Sequence, residues 1–178
     1  MIALLSAFLL AATSPVPTPA VLEVGLVGRW RGNLSYRDYQ TDRLQAIPVA
    51  TRIEAMGDGV TMLRISTFDD GPKTGNVIIT TVSLFDQIAG TVTSASLRKG
   101  NTAELSVART SVKNFTDETH WTILNEEDGE DNDQPALIRI TEDRDGDLLT
   151  ETKEVQPKGG KGDWQFRNRT NLVRQSVE

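Results

Sequence analysis

The stretch Gly28-Arg29-Trp30-Arg31-Gly32-Asn33-Leu34-Ser35-Tyr36-Arg37 decides the fold. Trp30, Leu34 and Tyr36 share one face with the two glycines, while Arg29, Arg31, Asn33, Ser35 and Arg37 share the other. A period of two marks a half-buried strand, because successive side chains of an extended chain point to opposite faces. The apolar set therefore faces inward and the arginines face water.

Working outward, no stretch after Leu26 carries a helical period. Segments at 44–55, 60–68, 76–85, 88–97, 102–109, 119–125, 135–142, 148–155 and 163–172 read as further strands, most of them rich in Val, Ile, Thr and aromatics. Turn signals separate them, among them Gly57-Asp58-Gly59, Asp69-Asp70-Gly71-Pro72, Lys99-Gly100-Asn101, Asp145-Gly146 and Lys158-Gly159-Gly160-Lys161-Gly162. Hairpin after hairpin predicts an all-β fold, a single antiparallel up-and-down meander barrel of about 8–10 strands, since closure removes the two exposed edges. A Greek-key sandwich is the alternative. It needs a long connection between sheets, and the one candidate, around 125–133, reads as a wide hairpin.

Upstream of these strands the chain changes character. Residues 1–12 are M-I-A-L-L-S-A-F-L-L-A-A, and no charged side chain precedes Glu23. The run is too short to span a bilayer and suits the apolar core of a secretory signal. The Pro-rich stretch 13–20 ends in Ala20, and a cut there would put Thr18 and Ala20 at the two small-residue positions. We thus expect a signal peptide over 1–20 and a mature barrel domain over 21–178, secreted or periplasmic in a bacterium. An uncleaved, buried N-terminal helix is the alternative. With no cysteine in the chain, a lipoprotein anchor is excluded.

Composition removes most well-marked chemistries. Without cysteine there is no disulfide scaffold, thiolate metal site or Cys nucleophile, and one histidine cannot make a two-His metal site. The net charge of −6 argues against nucleic acid, which requires clustered Lys and Arg. That charge is uneven: residues 115–151 hold 13 acidic and 2 basic side chains, a local net of −11. Its densest part, 126–133, predicts a solvated acidic loop or, alternatively, a docking surface for a basic partner. The polar outward face of the first strand excludes a membrane-spanning barrel.

The Gly28-x-Trp30 opening, after a short apolar lead-in, together with a C-terminal arginine, resembles the lipocalins and their calycin relatives. About ten strands is similar to the fatty-acid-binding or nitrobindin-like branch. The resemblance implies that Trp30 closes one barrel end with an arginine packed across its ring, which makes Gly28, Trp30, Arg169 and Arg174 the expected barrel-end group. It also implies an interior that can hold one small apolar ligand. Trp30, Tyr36, Trp121, Trp164 and Phe166 are the large aromatics expected to face inward, and Asn168 and Thr170 continue the Trp164/Phe166 face. A lining part apolar and part polar suits an amphiphile.

Other candidates carry weaker chemistry. Asp143, Asp145 and Asp147 resemble a calcium loop, but Gly146 falls too early and Glu151 is misplaced, so an Asp-Gly turn is the reading preferred. His120 would ligate haem only if it faced inward, as the nitrobindin-like resemblance implies. Arg52, Glu54, Arg64 and Arg109 would become site candidates if they faced the interior. No Gly-x-Ser-x-Gly and no phosphate-cradling glycine run is present. We therefore assign no catalytic residue, cofactor or metal. The expectation is an exported barrel that binds a small hydrophobic or amphiphilic ligand. The alternatives are an envelope interaction module using 126–133 and a small barrel enzyme.

Overall fold

In the computed structural model, which describes residues 15–38, 41–159 and 162–176, all ten strands form. They are β1 (Gly28–Arg37), β2 (Leu44–Ala55), β3 (Thr61–Asp69), β4 (Asn76–Asp86), β5 (Thr91–Arg98), β6 (Glu104–Asp117), β7 (His120–Asp131), β8 (Gln134–Asp145), β9 (Leu148–Pro157) and β10 (Gln165–Arg174). Each pairs antiparallel with its neighbours in the chain, and β10 pairs with β1 to close the barrel. Directly opposed residues share a face, so the alternation of β1 propagates around the wall. Trp30 opposes Thr51 on one side and Arg174 on the other. Thr51 opposes Ser66, and Ile53 opposes Arg64.

Two short helices complete the chain, α1 (Pro19–Val24) and α2 (Gly71–Thr74). α1 is the floor of the barrel. Pro19 starts it, which suits a first helical position where no N–H partner is needed. Leu22 and Leu26 are 2% and 0% exposed against Trp30, Ile53, Trp121 and Leu149. Burying each leucine contributes about 1.5–3 kcal/mol. Residues 1–14, which hold most of the expected leader, lie outside the described residues. Ala20, the expected last residue of that leader, is 1% exposed inside α1.

Two expectations change in register. First, the acidic stretch is strand rather than loop. β7 runs to Asp131 and turns through Asn132 (φ 51°) and Asp133 (φ 59°) straight into β8. Two successive positive φ values are those of the tight turn that matches strand twist. Pairing separates the carboxylates onto alternate faces, which lowers the repulsion a loop reading assumed. Second, β10 slips register between Phe166 and Asn168. This bulge moves Asn168 and Thr170 to the opposite face from Phe166, so the four do not share one lining.

Candidate functional site

The interior is built on β3, whose alternation aims Met62, Arg64, Ser66 and Phe68 inward. Arg64 donates from Nη2 to Glu142 Oε2 at 2.8 Å and from Nη1 to Glu151 Oε2 at 2.6 Å. A longer contact of 3.5 Å reaches Glu23 Oε2 on α1. One guanidinium thus ties β3 to β8, β9 and the floor helix. The fork geometry of arginine is what allows two carboxylates to be held at once.

Three carboxylates around one cation cannot all stay ionised cheaply. Burial pushes Glu23 well above the ordinary glutamate range, and the neighbouring Glu142 adds to the rise, with Arg64 opposing it. Burial likewise raises Glu151, again against Arg64. For Arg64, burial works against the charge, but Glu142, Glu23 and Glu151 outweigh it and the guanidinium stays protonated. Glu142 is 3% exposed, and its Oε1 accepts no hydrogen bond from any described donor. The raised Glu23 carboxyl is the neighbouring group whose proton would relieve the repulsion between it and Glu142.

A pH signature follows. A carboxyl whose folded pKa is raised stabilises fully below its unfolded value, near 4.5, and loses that contribution as pH climbs through the folded value. The urea midpoint should therefore fall as pH rises above about 4.5, and Glu23→Gln should flatten the slope. A midpoint that instead rises across this window, in the wild type and Glu23→Gln alike, rejects the shared proton. Asp58, Asp117 and Asp128 are lowered by hydrogen bonds from Thr61, Thr119 and Lys158 respectively, so their contributions are lost only below the ordinary aspartate range.

Above this cluster lie two cavities that share Phe68. The inner one, about 70 Å³, is lined by Thr51, Arg64, Ser66, Glu151 and Thr170 with Leu149 and Leu172. It is large and polar enough for ordered water. Hydroxyls of Thr51, Ser66 and Thr170 are its possible nucleophiles and Glu151 its possible base, but no imidazole accompanies them. The outer one, about 310 Å³, is the mouth. Leu34, Ile47, Phe68, Val77 and Ile79 make its wall, with Tyr36 and Asn168 beside them. Arg37, Arg98, Arg167 and Asp70 also line it. Arg37 pairs with Asp42 and Arg167 with Asp131, leaving Arg98 as the rim cation with no ion pair among the described residues.

The expected residues are thus dispersed. Tyr36 and Asn168 reach the mouth, and Trp30 and Trp121 are buried at the floor. Trp164 and Phe166 lie on the outer wall: Arg139 stacks 4.3 Å over the Trp164 ring, and Arg169 lies 6.0 Å from Phe166. The barrel-end arginine is Arg174. Its guanidinium sits 4.4 Å above Trp30 and donates to the carbonyls of Val27 and Gly25 at 2.8 and 2.7 Å. Arg169, expected in the same group, instead faces outward and donates to Thr152, because it opposes Ser35 rather than an inward position. Gly28 (φ 142°) sits under Arg174, where a Cβ would lie 3.0 Å from Nη1.

His120 also faces out, with Nδ1 2.9 Å from Asp117 and Nε2 3.3 Å from Asp145. Asp143 accepts from Thr122 at 2.6 Å, and Asp147 lies 3.8 Å from Arg174, so the three aspartates of the Asp-Gly turn have separate partners. Arg52 and Glu54 pair with each other on the outer wall. Of the four charged residues singled out, Arg64 alone faces the interior cluster. Its carboxylate partners were missed. Glu142 carries a readable signal, since it continues the inward phase of Ala136, Ile138 and Ile140 on β8.

The fold and its interior define a closed ten-stranded antiparallel barrel with a helical floor, a buried arginine–carboxylate cluster and a half-apolar mouth. The structure is similar to the crystal structure of Rv2717c from M. tuberculosis, with a TM-score of 0.60 and 18% identity over 89% of this chain and 99% of that one. At that identity the likeness supports the barrel fold alone and leaves the calycin resemblance at the level of architecture. No family model matches the chain, and no curated protein matches it.

Proposed function

We propose that the barrel binds a small amphiphilic molecule at its mouth, the apolar part against Leu34, Phe68 and Ile79 and an acidic head on Arg98. The observation that carries this is the 310 Å³ cavity, at the lower end of the size of ligand pockets, with apolar walls beneath an arginine rim. Arg98 supplies a donor fork for a carboxylate without first breaking an ion pair.

The test is displacement of 1-anilinonaphthalene-8-sulfonate by octanoate and by octylamine. Octanoate should compete more strongly, Arg98→Gln should weaken it about tenfold, and Ile79→Trp, which narrows the mouth, should abolish probe binding. A tenfold loss is about 1.4 kcal/mol, within the range of one charged hydrogen bond. Equal competition by the amine, or probe binding that survives Ile79→Trp, overturns the reading.

We propose further that the chain is exported, secreted or periplasmic, on the strength of the apolar, uncharged start of the sequence. A cut after Ala20 would open the barrel floor, because Ala20 is 1% exposed within α1. A leader ending upstream of Thr18 keeps the helix whole. Native mass spectrometry of protein recovered from its source reads both proposals, the ligand as added mass and the leader as a missing N-terminus. A full-length chain rejects cleavage.

A further inference from the structure

The barrel wall is split on one side. The ladder between β6 and β7 runs from Asp117↔His120 to Arg109↔Glu126 and stops there. Beyond that point residues 104–108 of β6 pair with β5 alone, and residues 127–131 of β7 pair with β8 alone. Each stretch therefore turns one row of backbone N–H and C=O groups toward the gap. At five residues and about 3.4 Å per residue, each row is about 17 Å long. At the foot of the split lies a cleft of about 230 Å³, lined by Val107, Arg109, Glu126, Asp128, Leu137 and Trp164 among others.

Natural sheets blunt free edges with charge, and mixed charge would suffice for that. Here carboxylates outnumber cations: Lys158 neutralises Asp128 and Arg167 pairs with Asp131, but further glutamates remain. Glu104, Glu126, Glu127 and Glu130 enter no ion pair among the described residues, against Arg109 as the facing cation. Beside them Leu105 and Val107 are 76% and 62% exposed, large apolar groups left in water on the same strand. Unpaired backbone, exposed aliphatic side chains and excess carboxylate in one place specify complementary chemistry: an extended segment with its own backbone free, alternating apolar and basic side chains.

We infer that the split between β6 and β7 is a docking groove for an extended basic peptide, which adds a strand to the open wall. Main-chain pairing supplies affinity in this mode, and alternate side chains supply specificity. Because Arg109 opposes Glu126, the side chains of Leu105, Val107, Glu126 and Glu130 share the outer face. Lysines or arginines on the outer face of the peptide therefore meet Glu126 and Glu130 and lay their stems along Leu105 and Val107, while its aliphatic face turns inward toward Ala108 and Ile138 of the cleft. The cleft shares no lining residue with the mouth, and the two sites meet through the Asp131–Arg167 pair at the end of the β7 edge.

The probe is a labelled hexapeptide of alternating Lys and Val, followed by fluorescence anisotropy with the full chain at low and at physiological salt. Binding should be salt-sensitive, at least tenfold weaker for a Glu-Val hexapeptide, and about tenfold weaker for the protein carrying Glu126→Gln and Glu130→Gln. The decisive arm is the Lys-Val peptide N-methylated at alternate residues. It keeps every side chain and charge but loses half its backbone donors, and it should lose at least tenfold. Hydrogen exchange on the complex should show new protection at 104–108 and 127–131. If the N-methylated peptide binds as well as the parent, or protection falls elsewhere, the contact is a charge patch and the strand-addition inference is wrong. No binding by any peptide also overturns it.

Discussion

Replacing Arg64 with methionine should lower the unfolding free energy by about 3–5 kcal/mol at neutral pH, the range for breaking a buried ion pair from one side. Methionine fills much of the arginine stem, so the loss is not mainly a cavity. It comes from leaving Glu142, Glu151 and Glu23 around a site with no cation. Glu142 is the most exacting of these, being 3% exposed and bonded to Arg64 at 2.8 Å. Two features separate this from simple packing damage. The loss should shrink as pH falls toward 5, because protonation neutralises Glu23 and Glu151, whose carboxyls burial raises. Adding Glu142→Gln and Glu151→Gln to Arg64→Met should recover more than half of it, since amides need no counter-charge. Urea unfolding at pH 7 and pH 5 measures both. A single-variant loss below about 1 kcal/mol, the range of an exposed ion pair, would show that the cluster holds nothing together.

The same cluster shows where reading the sequence reaches and where it stops. Strand existence was legible from alternation and turn residues, and it was correct from β1 to β10. Both Trp30 as the closing residue and a C-terminal arginine across it followed from the calycin resemblance, though the arginine is Arg174 and not Arg169. The faces of β10 were not legible, because one inserted residue between Phe166 and Asn168 reverses the phase and nothing in Gln165-Phe166-Arg167-Asn168 marks the bulge. The acidic stretch misled for a different reason. Its composition resembles a solvated loop, but cross-strand pairing with β8 and ion pairs to Lys158 and Arg167 are long-range facts that local composition does not carry. A buried N-terminal helix stood only as the alternative to a leader, because α1 begins inside the stretch that resembles a cleavage region. Arg64 becomes a site candidate from sequence only on the condition that it faces inward. Identifying its partners required knowing that β3, β8, β9 and α1 face one another across the barrel, a relation only the closed topology supplies.

Closure itself rests on one position. β1 and β10 are the first and last strands of the barrel, and their seam runs through Gly32, which opposes Leu172. A Cβ built on Gly32 would lie 1.8 Å from the carbonyl oxygen of Asn171, 2.8 Å from its carbon and 3.1 Å from the Leu172 Cα. All three are backbone atoms, so no side chain can swing aside to make room. Gly32→Ala must push β10 away from β1 and break ladder hydrogen bonds on both sides of the substitution. Overpacking a core usually costs 1–3 kcal/mol, and a clash with backbone belongs at or beyond the top of that range, so we expect a loss of about 3 kcal/mol or more. The φ of Gly32 is not positive, so the requirement is space alone and not a special conformation. Gly57→Ala is the matched control: nothing lies within 4 Å of its Cβ, and stability should change by less than about 0.5 kcal/mol. Chemical denaturation of the two variants decides the point. If Gly32→Ala is as mild as Gly57→Ala, the seam is looser than the register between β1 and β10 requires. If it unfolds the protein while Gly57→Ala does not, the missing side chain at position 32 is what lets the last strand return to the first.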